Sequence, residues 1–147
     1  MDIEKLREEL KRDEGCVHSV YLDHLNLKTV GIGHLLTEWD EEYDKPVGTE
    51  VSEERVNELF DKDIQTTIDE CKVLYDDFDD LPEEAKRIIA NMMFNLGRPR
   101  LSKFKKMREA VMDANWIEAA IQMEDSLWAK QVPNRAERLC ERMRNVS

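Results

Sequence analysis

Three side chains near the N-terminus, Glu14, Asp23 and Thr29, have types and spacing suited to acid–base chemistry on a sugar acetal. Glycoside hydrolysis needs one carboxyl group held protonated, to donate to the departing oxygen, and a second carboxylate that organises water or stabilises positive charge. Glu14 falls at the end of a short predicted helix, because Ile3, Leu6 and Leu10 recur at helical spacing behind Asp2 as a cap and Gly15 stops the run. Asp23 ends a strand, so the two carboxyls can face one gap, and Thr29 on the return strand can hold a water by its hydroxyl. Alone, this constellation is weak: the chain carries 33 Asp and Glu residues, so such pairs arise by chance and a charged surface is by far the better explanation of residue types alone.

The elements that must position these groups are legible in the hydrophobic pattern. VHSVYLD and LKTVGIG, separated by His24, Leu25 and Asn26, read as a hairpin of β-branched and aromatic strands. Residues 37–50 are polar and turn-prone and close with Pro46 and Gly48; Ser52 then caps a helix, with Val51 and Val56 able to staple its entry. Val56, Leu59, Phe60, Ile64, Ile68 and Cys71 keep a helical period without Gly or Pro, which predicts a long connecting helix over about 53–74. Leu81-Pro82 opens a helix that is apolar nearly all round, from Ala85 to Leu96, and Gly97 closes it, which marks the centre of a core. Amphipathic segments follow around Phe104 to Met112 and Trp116 to Trp128, and Pro133 starts a last helix with Leu139 and Met143.

The expected fold is α+β and mainly α-helical. A small mixed N-terminal lobe (about 13–58) and a helical lobe (about 1–12 and 75–147) are joined by the long helix within one domain spanning 1–147. A cleft between lobes is a natural place for an extended ligand.

Composition excludes other classes. The 147 residues are 41% hydrophobic and 37% charged, with five Gly and four Pro, as in a helix-rich globular chain rather than a disordered one. The net charge is −11, spread unevenly: residues 1–97 hold 11 basic and 26 acidic side chains and residues 98–147 hold 11 and 7, a balance of −15 against +4. Such acidity argues against nucleic acid as a partner, since phosphate contacts need a basic face. Acidic stretches such as WDEEYD and DDFDD read as solvated surface rather than a cation site. Cys16, Cys71 and Cys140 are scattered without CxxC spacing and are expected as free thiols; His18, His24 and His34 lack paired metal-ligand spacing. No metal or other cofactor is expected. No apolar run approaches a membrane span and the charged start MDIEKLREEL has no signal-peptide core, so the expectation is synthesis in the cytoplasm without membrane association.

The longer pattern that supports the carboxylate pair is DEG followed by YLD, then TVGIGHLL, and far downstream ANMMFNLG and SLWAKQVPNRAER. In these segments, their order and the Glu to Asp to Thr intervals, residues 1–145 closely resemble the phage-type lysozymes, or endolysins, of glycoside hydrolase family 24. The resemblance implies a lysozyme-like two-lobed fold and a muramidase acting on bacterial peptidoglycan as a monomer and without a cofactor. Glu14 would be the general acid, Asp23 with Thr29 would position the attacking water, and the anomeric configuration would invert.

It further implies that Arg135, in the PNRA motif, supports the catalytic glutamate. A neighbouring cation lowers a carboxyl pKa whereas burial raises it, so the two effects oppose. An arginine in a first helical turn is disfavoured by the dipole, which itself suggests a special role. His34 tempts as a catalytic base, but the resemblance gives it a structural ion pair with Asp63. Substrate contacts carried over are Leu35 and Phe94, with Asn91 and Trp128 near the cleft and Met107 and Gln122 at two further positions; Trp128 is more readily a core residue than a sugar platform. Gly31 and Gly33 read as turn or bulge residues that also let backbone or saccharide approach closely.

The chain departs from better-known family members in its shortened polar linker after Leu36, its early end after Arg144, and its acidity. Two alternatives to the enzyme stay open on sequence: a lysozyme-fold module that binds glycan or protein without catalysis, and a helical interaction protein that would leave GIGHLL and PNRA unexplained.

Overall fold

The computed structural model describes all 147 residues. They form an α+β fold that is mainly helical, with one small antiparallel sheet near the N-terminus. Two compact units pack separately, Arg7–Thr66 and Met1–Leu6 with Thr67–Ser147. Two helices contribute residues to both: α1 (Ile3–Glu14) and α2 (Glu53–Leu74). The Asp2 carboxylate accepts the Lys5 N–H (3.1 Å) and the Ser52 hydroxyl oxygen accepts the Arg55 N–H (3.1 Å), so each helix starts on a side-chain cap.

In the first unit, β1 (Val17–Leu22) pairs with β2 (Lys28–Gly31), and β2 pairs with β3 (His34–Leu35), all antiparallel in the order β1-β2-β3. The hairpin follows the sequence pattern; the third strand does not, because two residues are too few to show alternation. It exists because Gly31 and Gly33 both take positive φ, 66° and 67°, and turn the chain back onto β2. Thr29 then faces Leu35 and Val30 faces His34. Val20, Val30, Ile32, Leu36, Val51, Val56, Phe60 and Ile64 are buried and form this unit's core. A Cβ at Gly31 would sit 2.9 Å from a Val56 methyl, so glycine there lets sheet and helix close on each other.

The second unit is all helical beyond a 3-10 turn at Phe78–Asp80: α3 (Glu83–Leu96), α4 (Arg98–Leu101), α5 (Lys105–Met112), α6 (Trp116–Glu124), α7 (Leu127–Gln131) and α8 (Pro133–Arg144). Helix α3 buries Ala85, Ile88, Ile89, Ala90, Asn91, Met92, Met93 and Leu96, as its all-round apolarity predicts. Gly97 ends it at φ 79° with its N–H on the Met93 carbonyl (2.8 Å). The segment read as one stretch from Trp116 to Trp128 is broken at Ser126, whose hydroxyl donates to the Met123 carbonyl (2.6 Å) and accepts the Ala129 N–H (3.2 Å). Ser126 thus ends one helix and caps the next.

All three cysteines are free thiols, and burial pushes Cys71 up to about 12 and Cys140 to about 11. No helix is long and apolar enough to cross a membrane. No group of three or more His, Cys, Asp or Glu side chains is arranged to hold a metal ion.

Candidate active site

Glu14 is the last residue of α1 and is half-buried. The helix stops at Gly15 (φ 75°), whose N–H closes the final turn on the Lys11 carbonyl (3.0 Å). Across from it, a Cβ at Gly33 would stand 2.7 Å from Glu14 Oε1 and 3.2 Å from its carboxyl carbon. Gly33 is therefore needed twice, for its left-handed backbone and for the space that the carboxyl occupies.

Asp23 heads the β1–β2 turn. Its Oδ1 accepts the N–H groups of Leu25 (2.8 Å) and Leu27 (2.9 Å), and its own N–H donates to the Leu27 carbonyl (2.9 Å). Asn26, at φ 61°, closes the turn. One carboxylate oxygen is thus fixed by backbone and the other remains an acceptor. Buried Thr29 donates its hydroxyl hydrogen to the Leu27 carbonyl (2.9 Å), which leaves its oxygen lone pairs to receive a hydrogen bond.

Tyr21 is the Cα partner of Thr29, and Thr29 of Leu35, so these three side chains share one face of the sheet. Burial first, and then the charges of Glu14, Asp23 and Cys16, raise the Tyr21 pKa. Its phenol stays protonated at neutral pH as a hydroxyl near both carboxyls. Sequence reasoning passed over Tyr21, although the hairpin register that pairs it with Thr29 was a usable signal.

His34 and Asp63 are brought together, Nδ1 to Oδ2 at 2.6 Å, and Asp40 holds the other nitrogen at 2.9 Å from Nε2. With a carboxylate on each side, the imidazole serves both only as a doubly protonated cation. Burial works to lower its pKa, but Asp63 and then Asp40 outweigh it and the net shift is upward. Burial likewise opposes ionisation of Asp40, and the Thr37 N–H with His34 brings it below the ordinary carboxylate range. Both ring nitrogens are committed, so His34 is no free base. Asp40 lay unnoticed among five acidic residues in 37–44, where type alone singles out none. In the same unit, Arg55 grips Glu42 through Nε (2.7 Å) and a terminal nitrogen (3.0 Å), which pins the polar loop to α2.

In the second unit Arg135 is buried in the first turn of α8, and its Nε donates to the Asn91 side-chain oxygen (2.8 Å) on α3. These two expected site residues therefore form one arrangement, with Asn91 holding the guanidinium. Asn91 is fully buried and Trp128 is 2% exposed, with its indole N–H donating to Asn95 (2.7 Å). Neither offers a face to a saccharide: Asn91 on α3 is committed to Arg135, and Trp128 on α7 lies in the core, the reading favoured for it on sequence. Leu35 is exposed and Phe94 half-buried. Met107 has no exposed surface but borders, with half-buried Gln122, a groove of about 350 Å³ that Phe104, Lys103, Lys105 and Lys106 also line. Gln122 is held by Glu118 (2.8 Å).

The Phage lysozyme family model matches residues 11–145, which includes every residue of this arrangement. The chain belongs to the phage lysozyme family. It is similar to "Probable T4-type lysozyme 2" of Dictyostelium discoideum, with 30% identity over 93% of this chain and 92% of that protein. It is also similar, at 28% identity, to part of "Pre-baseplate central spike protein Gp5" of Enterobacteria phage T4, covering 91% of this chain and 26% of the spike protein. A third relative, "Peptidoglycan hydrolase gp36" of Pseudomonas phage phiKMV, is 28% identical over 97% of this chain and 15% of its own length. This member of the family is thus a glycosidase of the lysozyme type, and Glu14, Asp23 and Thr29 lie inside the matched segment.

Proposed function

We propose that the protein is a muramidase that cleaves the β-1,4 bond from N-acetylmuramic acid to N-acetylglucosamine in bacterial peptidoglycan, with inversion, during host-cell lysis. The observation that carries the reading is a half-buried Glu14 seated against Gly33 and, in the same compact unit, an Asp23 whose Oδ1 accepts two backbone N–H groups. In this reading one carboxyl gives a proton and the other receives one.

In this mechanism Glu14 donates its proton to the glycosidic oxygen as the bond from that oxygen to the muramic anomeric carbon breaks. A water held by the Thr29 oxygen and Asp23 attacks the anomeric carbon from the opposite face, and Asp23 takes the water's proton. The released N-acetylglucosamine end keeps the oxygen with Glu14's proton, and exchange with solvent resets both carboxyls. Acting on a wall outside the membrane, the enzyme would be made in the cytoplasm and reach its substrate after release.

Products decide the bond. Purified sacculi digested with the protein and reduced with borohydride should yield reduced muramic acid at the new ends; reduced glucosamine would place the cut at the other linkage. Proton NMR of the first-formed product should show the α anomer, and an initial β anomer would contradict inversion.

A further inference from the structure

Trp39 is the most exposed large hydrophobic side chain in the molecule, with 88% of its surface in water. Single exposed apolar residues are ordinary, but this one stands on a mount built with several polar groups. The turn Thr37–Asp40 closes with the Asp40 N–H on the Thr37 carbonyl (2.9 Å). Asp40 Oδ2 accepts the Thr37 N–H (2.8 Å) and the Thr37 hydroxyl (3.3 Å), and also meets His34 Nε2 (2.9 Å). His34 is tied in turn to Asp63 on α2 (2.6 Å). The backbone on either side of the indole is therefore fixed to the sheet and to a helix while the ring itself touches solvent.

The mount adjoins the candidate site. His34, which holds it, precedes Leu35, and Leu35 is the half-exposed end of the row that runs across the sheet through Thr29 to Tyr21. Adjacent strands lie about 4.8 Å apart, close to the length of one pyranose ring, so the row from Tyr21 through Thr29 to Leu35 has the spacing of successive sugars. An indole presents a broad flat face to the C–H groups of a pyranose and loses little conformational freedom when it does so.

We propose that Trp39 is a saccharide platform that extends the glycan-binding row beyond Leu35, taking one more sugar ring of the strand than the residues around the cleaved bond would hold. The assignment rests on peptidoglycan being the substrate. The Asp40–His34–Asp63 chain is the rigid support that orders the platform before substrate arrives, which lowers the entropic cost of binding.

Trp39→Ala and Trp39→Phe test it, since a side chain this exposed can be replaced without disturbing a core. On soluble peptidoglycan glycan strands, Trp39→Ala should raise KM about tenfold with kcat held within about twofold, and Trp39→Phe should recover most of the loss. In the Glu14→Gln background, the same strands should shift the tryptophan emission to shorter wavelength, and the shift should vanish with Trp39→Phe. Unchanged KM and an unchanged emission shift in the Trp39 variants of an active enzyme would overturn the platform and leave the muramidase reading standing. A Trp39→Ala effect on sedimentation or on vesicle binding, with KM unchanged, would overturn it in favour of self-association or a lipid surface. A wild-type protein that neither cleaves nor binds the strands would overturn both readings.

Discussion

The carboxyl proposed as the proton donor sits against a residue with no side chain. At Gly33 the backbone has φ 67° and a Cβ would meet Glu14 Oε1 at 2.7 Å, whereas at Gly48 the backbone has φ 95° and a Cβ would meet nothing. Alanine at either site incurs the left-handed backbone cost of about 1–2 kcal/mol, but only Gly33→Ala also displaces the acid. Gly33→Ala is expected to reduce kcat more than tenfold and Gly48→Ala to lower Tm alone; equal activity in the two variants would remove the steric coupling. Asn91 gives a second residue-scale expectation, because its oxygen accepts a charge-assisted hydrogen bond from buried Arg135. Asn91→Ala should destabilise the fold by about 1.5–3 kcal/mol in chemical denaturation, and a loss under about 0.5 kcal/mol would show that Arg135 does not need this partner.

Among elements, the loop that follows β3 is anchored by buried Leu36 at its start and beyond that by charged groups, so part of its stability follows pH. His34 has a raised pKa in the fold, so its contribution is full below the unfolded value near 6.5 and is lost as pH rises through the higher folded value. Asp40 has a lowered pKa, so its contribution is full above an unfolded value near 4 and is lost as pH falls through the lower folded value. Their shared maximum lies between about pH 4 and 6.5. His34→Asn should lower Tm within that window and flatten the decline on its alkaline side; a parallel drop at all pH values would contradict the ion-pair account. The elements α1, the β1–β2 hairpin and α2 were legible because one apolar face repeats, and α3 because it is apolar nearly all round between Pro82 and Gly97. Strand β3 and the four residues of α4 were not, since each is only about one period long, too short for a pattern to repeat, and follows a glycine that redirects the chain. The His34–Asp63 pair could be named from family resemblance, but Asp40 could not, because its partnership depends on a turn that only folding creates. The burial of Asn91 was likewise hidden, since sequence does not show which face of a helix a neighbour covers.

For the whole molecule the unresolved tension is charge. A net −11 opposes approach to an anionic wall, and the +4 balance of residues 98–147 is a local counterweight. Added salt screens both, with a Debye length near 10 Å at 0.1 M, but the repulsion is the larger. Activity on wall fragments should therefore rise on modest salt addition before it declines, and a monotonic fall from the lowest salt upward would contradict the repulsion argument. None of this replaces the central claim, that Glu14 supplies the proton for cleavage. The direct measurement is lysis of outer-membrane-permeabilised bacteria by the purified protein and by Glu14→Gln at matched folding. The wild type should lyse them and the variant should be slower by about 10²–10⁴-fold; equal rates, or lysis by neither, would contradict the assignment.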